Sequence, residues 1–367
     1  MPAPRETTGR RSRRRAAART RLLALLLTAL PAFANGDPSG ADALPQPDPA
    51  VRRGGDQASD EYQLIASFDD GGLLLARILV TNAGPGERNA VASGLWVDRD
   101  ERVHAFDNVR RSDEWELSAD RRRLDIGTTH LDLSRDYARY RIDKSRIRVD
   151  LQLPLEARAA LPADFEPPGA QSELLATLVP IVGTIQLREW ATPRTVAGTA
   201  SLLHAWSPDA AFGGARRVSA VGVDRDGRAS ALVLQWQRPG GEGRAWMAIA
   251  REDDAPTAYA NLEATAEGAL SGASTRAYPV PAVLALRGPD VEGSVKASSP
   301  LFEQDFLKAF PQPLRTVMSM ALDVRPYRVW ARSVIDVTLR ASSGGGPHRF
   351  QGEGSTATSF SDTFSGR

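Results

Sequence analysis

From Glu61 onward the chain is a succession of short apolar runs separated by turn residues. Runs 62–68 and 73–80 flank Asp69-Asp70-Gly71-Gly72, residues that tolerate the backbone geometry of a tight turn, so a hairpin is expected there. Asn82-Ala83-Gly84-Pro85-Gly86 and Asp98-Arg99-Asp100 turn the chain again around runs 90–97 and 103–109. Further runs follow at 115–117, 124–133, 137–142 and 145–153. In the last, Ile147, Val149, Leu151 and Leu153 share one face while Arg146, Arg148, Asp150 and Gln152 share the other, the alternation of a sheet wet on one side. Turn signals at such short intervals predict an antiparallel barrel or sandwich.

Residues 156–193 change texture to Pro, Ala and Gly around an apolar patch at 174–185, and read as a connector packed against its neighbours. A second meander then runs through 199–206, 218–223, 229–237, 244–250, 259–265, 276–278, 282–286 and 291–297. Ser299-Pro300 caps an expected helix at 301–310. Run 329–339 closes the set, and the Gly- and Ser-rich residues 341–367 read as a flexible tail with at most one weak strand near Arg349. The fold class expected from this pattern is therefore all-β, as two antiparallel barrel-like units at 61–155 and 194–340, with a short helix late in the second.

The first 34 residues stand apart. Eight arginines precede an apolar run at 22–30 and Ala32-Phe33-Ala34, the pattern of a secretory signal peptide cleaved near Ala34, and residues 35–60 read as a disordered leader. That segment carries 8 of the 46 basic and 1 of the 45 acidic residues, leaving 38 against 44 and a net charge of −6. A nucleic-acid partner is thereby disfavoured. The expected location is periplasmic or extracellular. Cys is absent, so neither disulfides nor a lipidated cysteine is available. The four histidines, His104, His130, His204 and His348, never fall at metal-ligand spacing; neither a metal nor any cofactor is implied.

Gly198 to Trp206, GTASLLHAW, carries the one titratable group on an otherwise apolar strand face, where Leu202, His204 and Trp206 alternate with Ser201, Leu203 and Ala205. His204 is the candidate general acid or base, since imidazole titrates near neutrality, although the adjoining residues offer it no Asp, Ser or Cys partner. An eight-stranded barrel encloses space for side chains or for one small ligand, and indoles make apolar walls with a single N–H to orient it. The candidate ligand-lining residues are accordingly Leu202, His204 and Trp206 with Trp96, Trp115, Trp236 and Trp246. Four acidic pairs, Asp69-Asp70, Asp98 with Asp100, Asp224 with Asp226, and Asp253-Asp254, all sit at turns and read as turn chemistry.

The hairpin YQLIASFDDGGLLLARILVTNAG, the later SDEWELSADRRRLDI and YARYRIDKSRIRVDLQLPL, and GTASLLHAW resemble the survival-factor-1-like proteins, with the AttH-type proteins and the carotenoid 1,2-hydratase group related at the level of fold. The resemblance covers roughly 61–339. It implies two lipocalin-like barrels of the calycin group, packed side by side, and the handling of hydrophobic molecules. Gly198, His204 and Ala205 match the family's opening of its second barrel, whereas Thr199-Ala200 and Trp206-Ser207 depart from it. Three functions follow from the resemblance and the residues together: an exported envelope protein binding a lipid- or isoprenoid-like ligand, with peripheral membrane contact open to it; a hydratase or isomerase of the same fold acting on an isoprenoid or polyene; or a structural, protein-binding module with filled barrels.

Overall fold

A computed structural model describes residues 58–82, 88–120, 122–155, 159–162, 165, 170–207, 216–237, 241–251, 254–275, 277–305, 327–340 and 347–360. The expected signal peptide, nearly all of the leader, the turn at 83–86 and the second half of the expected helix lie outside the described residues. The described chain is all-β and antiparallel throughout, with no helix among the described residues. The all-β, two-barrel expectation therefore holds.

The first hairpin is the one the sequence indicates. Strands β1 (Ser59–Phe68) and β2 (Leu73–Thr81) pair through nine residues. Gly71 takes φ +86° in the turn, and the Gly72 amide donates to Asp70 Oδ1 at 2.9 Å. Strands β3 (Asn89–Val97) and β4 (Val103–Arg110) extend this side. Strands β5 (Trp115–Leu117), β6 (Arg123–Ile126), β7 (Thr129–Leu133), β8 (Tyr137–Asp143) and β9 (Ile147–Pro154) form a meander, and the two-residue β10 (Ala159–Ala160) follows.

What joins these two arms differs from the expected connector. Residues Gln171–Leu187 form a long strand, β11, and Arg194–Ser207 form β12, so the first sheet runs β4-β3-β2-β1-β12-β11-β9-β8-β7-β6-β5. The first unit thus extends to Ser207, and GTASLLHAW lies at its centre instead of opening the second barrel. The physical reason is burial: Leu174, Leu175, Ile181 and Ile185 of the apolar patch are removed from water by pairing with β9 and β12. Pro180, which reads as a strand breaker, is tolerated because it is exposed and follows an irregularity between Ala176 and Val179, where Leu178 adopts φ +52°. The sheet curls until its arms meet, with Asn108 of β4 donating at 3.0 Å to both Thr128 and Thr129 beside β7.

The second unit is a closed barrel of eight strands in sequence order: β13 (Arg216–Asp224), β14 (Ala229–Gln237), β15 (Gly243–Arg251), β16 (Asp254–Glu267), β17 (Val283–Arg287), β18 (Val291–Asp305), β19 (Tyr327–Leu339) and β20 (His348–Phe360). Three expectations are corrected here. Ser299-Pro300 does not start a helix, because β18 continues through it to Asp305, with register shifts on either side of Pro300 absorbing the missing N–H donor. The expected tail supplies β20, which pairs with both β19 and β13 and so closes the barrel; small residues such as Gly352 and Gly354 suit it to the crowded interior rather than to disorder. Of the strand expected at 276–278, the first residue lies outside the described residues and 277–278 fall in an excursion between β16 and β17.

Alternation along β1 to β3 sorts side chains cleanly. Ile65, Leu73, Leu75 and Leu95 pack against Leu232, Leu234, Trp246 and Trp330 of the second barrel in one apolar layer. Each such side chain, fully buried, contributes roughly 1.5–3 kcal/mol before conformational entropy is counted. The opposite parity, Tyr62, Leu64, Leu74 and Trp96, faces into the first sheet's own curl. The second barrel's interior is largely filled by Val233, Met247, Leu286, Ile335 and Phe350 with their neighbours.

Candidate active site on the inner face of the first sheet

Three adjacent strands bring His204 its partners. In the register of β1, β12 and β11, Tyr62 lies opposite His204 and His204 lies opposite Glu173, while Asp60 and Trp206 form the next rung. All of these project from the inner face, because Asp60, Tyr62 and Leu64 alternate with Glu61, Gln63 and Ile65. The imidazole Nε2 is 3.0 Å from Asp60 Oδ1 and Nδ1 is 3.1 Å from Glu173 Oε1. The ring is stacked on Tyr62 at 4.3 Å with planes 6° apart, and on Trp206 at 4.7 Å and 28°.

The electrostatics follow from this enclosure. Burial by itself favours the neutral imidazole, but hydrogen bonds and charge from Asp60 and Glu173 outweigh it and raise the His204 pKa to about 9. At neutral pH both ring nitrogens therefore carry protons and both donate to carboxylates, and the flanking aromatic faces favour the cation further. The carboxylates are not equivalent: the Asp60 side chain is 3% exposed and that of Glu173 is 27% exposed. The network thus has a sealed end and an open end.

A second charged cluster sits back to back with it. Glu61, pointing away from Asp60 toward the second barrel, is gripped by Arg77 of β2 at 2.6 and 3.0 Å and by Arg328 of β19 at 3.2 Å; Arg328 in turn donates to Ser359 of β20 at 2.6 Å. Burial raises the Glu61 pKa, but Arg77, Arg328 and Arg217 prevail and hold it near 2. This ion pair bridges the two units; it sits on the outer side of the site.

Of the seven expected ligand-lining residues, the structure brings together Leu202, His204 and Trp206. Trp96 shares the inner face but packs edge-on against Phe68 and over Gly72, at the far end of β1. Trp115 is in β5, its Nε1 donating to the Arg88 carbonyl at 2.7 Å. Trp246 lies in the layer between the units and Trp236 lies in β14 of the second barrel. Asp60, Tyr62 and Glu173 escape a reading of sequence: Asp60 is separated from His204 by 144 positions, and Glu173 falls in the stretch expected to be a connector. One signal for Asp60 exists in principle, an acid at the same parity as the buried Tyr62 and Leu64.

The other acids and histidines singled out in the sequence, where described, behave as turn and surface chemistry. Asp98 Oδ1 accepts from the Asp100 and Arg102 amides at 2.9 Å, and Asp224 Oδ1 from the Arg228 amide at 2.7 Å. His130 bonds Asp125 across β6 and β7, and His104 lies 3.6 Å from Asp98. His348 is exposed at the start of β20 rather than in a loose tail.

No family model and no curated protein matches this sequence. Solved structures do. An AttH-type protein of Nitrosomonas europaea is similar with a TM-score of 0.60 over 90% of this chain and 100% of that one, at 13% identity. Kievitone hydratase of Nectria haematococca gives 0.52 over 89% and 97%, at 12% identity. CghA gives 0.54 over 91% and 97%, at 14% identity, and has also been solved with Sch210972. At such identities the likeness is one of fold: this chain has the double lipocalin-like architecture of AttH-type proteins, CghA and kievitone hydratase.

Proposed function

We propose that the protein is a hydratase or isomerase of a hydrophobic, unsaturated molecule, working from the Asp60–His204–Glu173 network. The observation that carries the proposal is a buried imidazolium bracketed by two carboxylates, of which one alone is open to a reactant, set between two aromatic rings on an apolar wall. A titratable group perturbed by burial and by specific charge partners, one of which reaches solvent, is the arrangement expected of a site that moves protons.

In hydration, Glu173, carrying the proton passed from His204 Nδ1, gives it to one alkene carbon. The carboxylate so regenerated takes a proton from water as the water oxygen bonds to the other carbon. That proton then returns from Glu173 to His204 Nδ1, so one water is consumed and the network ends as it began. Isomerisation uses the same two half-steps with a substrate carbon in place of water. Asp60 anchors the imidazole and keeps its charge compensated while the proton is away. Tyr62, Trp206 and Leu202 supply the apolar surface on which such a substrate lies. The hydratase among the similar structures supports this reading over simple carriage of a ligand. The basic, apolar and small-residue pattern of the first 34 residues supports export, so an envelope location belongs to the same proposal.

The test is incubation of the full chain with a panel of isoprenoid and polyene alkenes in ¹⁸O-labelled water and in D₂O, read by mass spectrometry. Label entering a product, and failing to enter it with Glu173→Gln, is the expected result. Label entering no product, or entering it equally with the variant, overturns the proposal.

A further inference from the structure

The second barrel holds a group that its packing leaves unexplained. Gln235 of β14 is 2% exposed and points into the barrel, its Cα neighbours across the ladder being the core residues Val218 and Ala245. Neither its Oε1 nor its Nε2 has a hydrogen-bond partner among the described residues. Leaving a buried amide unpaired forfeits the hydrogen bonds it made to water, and native chains rarely do so without a reason. A position selected for packing alone would carry Leu or Met here.

The surroundings of Gln235 form a polar end to an otherwise apolar interior. Arg216 lies one rung along, opposite Gln237 and Phe360, while Thr358 shares the rung of Gln235 across Val218. The Arg216 guanidinium donates to Gln237 Oε1 and to the Pro279 carbonyl, the latter at 3.4 Å. A Cβ placed on Gly243 would stand 3.0 Å from Gln235 Nε2, so the amide leans toward this same end. The excursion between β16 and β17 covers it: Leu270, Ala273 and Val280 pack on Val329, Ala331 and Phe360, and Tyr278 stacks on Tyr327 at 4.4 Å.

We propose that this capped end of the second barrel is a binding site for a small carboxylic acid or carboxamide, recognised by Gln235 and Arg216. A carboxamide side chain presents a donor and an acceptor side by side. The group that satisfies both at once presents the complementary edge, a carbonyl oxygen beside an O–H or N–H, as acids and primary amides do. The neighbouring guanidinium adds a donor that favours the oxygen-rich acid. The site lies in the other unit from the His204 network and stands independently of the activity proposed above.

The experiment is NMR of the ¹⁵N-labelled full chain, following the Gln235 side-chain NH₂ pair, assigned by its loss in Gln235→Met. Titration with propanamide and, separately, with propionate is expected to move that pair saturably. Propanamide alone acting identifies an amide edge, and propionate acting identifies the acid, taken up in the protonated form whose O–H meets Gln235 Oε1; either supports the site. Gln235→Met, with Gln235→Leu as a second variant should the first misfold, is expected to bind neither, read by the backbone signals of Thr358 and Gly243. No shift with either probe up to its solubility, or equal binding by the folded variants, overturns the proposal.

Discussion

The interiors of the two units are built on opposite terms. On the inner face of the first sheet, charged groups are gathered and mutually satisfied: both nitrogens of His204 are bonded and each bond ends on a carboxylate. In the second barrel the interior is mostly Val, Leu, Ala and Ile, and its conspicuous polar group, Gln235, is neutral and has no hydrogen-bond partner among the described residues. One closed sheet spends its interior on packing while its curled neighbour concentrates ionisable chemistry in a single rung and a half. On the proposed reading proton transfer belongs to the first unit and does not draw on the packed core of the second, and this division can be broken.

The sharpest break is Asp60→Ala, which leaves a buried imidazolium with one partner; about 3–5 kcal/mol of stability should be lost in denaturant unfolding. Coupling Asp60→Leu with His204→Phe should recover most of that loss, since apolar replacement of a whole buried network is well tolerated; a double variant no better than the single one would remove charge satisfaction as the explanation. In the second barrel, Met247→Ala should cost about 2–5 kcal/mol through cavity formation while turnover per folded molecule stays unchanged. Altered turnover would show that this barrel is more than support.

pH separates the units in a different way. The folded-state His204 pKa of about 9 lies above its ordinary 6.5, so its contribution is fully present below pH 6.5 and lost as pH rises to about 9. Roughly 3 kcal/mol should disappear across that window, and the slope should vanish in His204→Phe. Glu173→Gln, at the open end, should cost only about 1 kcal/mol of stability while lowering turnover about 10²- to 10⁴-fold. The smallest effect belongs to Arg139→Ala, which removes an exposed pair with Asp150 at 2.6 and 2.8 Å; less than about 1 kcal/mol should be lost, which calibrates the buried pairs against surface ones.

Local patterns in the chain were sufficient for most strands and insufficient for their partners. The period-2 alternation of Ile147 to Leu153 and the Asp-Gly turn after Phe68 are properties of a few neighbouring residues, and both are found as expected. Strand order is not local. Nothing near Gly198 states that it will pair with Phe68, which lies 130 positions earlier by number, so a strand central to the first sheet reads as the start of the second. The same ignorance hides the site. His204 and its face are legible from alternation, but Asp60 and Glu173 become its partners only once β1, β12 and β11 are laid side by side. Pro300 and the glycines of β20 mislead for another reason: propensity marks them as breakers, and tertiary pairing overrides it.

Asp60 and Glu61 are consecutive residues of one pleated strand, the first clasping an imidazolium inside the curl and the second clasping two arginines toward the neighbouring unit. A single peptide bond therefore works as a rivet with a head on each side of the sheet wall. Pulling the halves apart at Arg328 strains the same few ångströms of backbone that aim Asp60, so the seating of one unit on the other and the alignment of the proton network are set together.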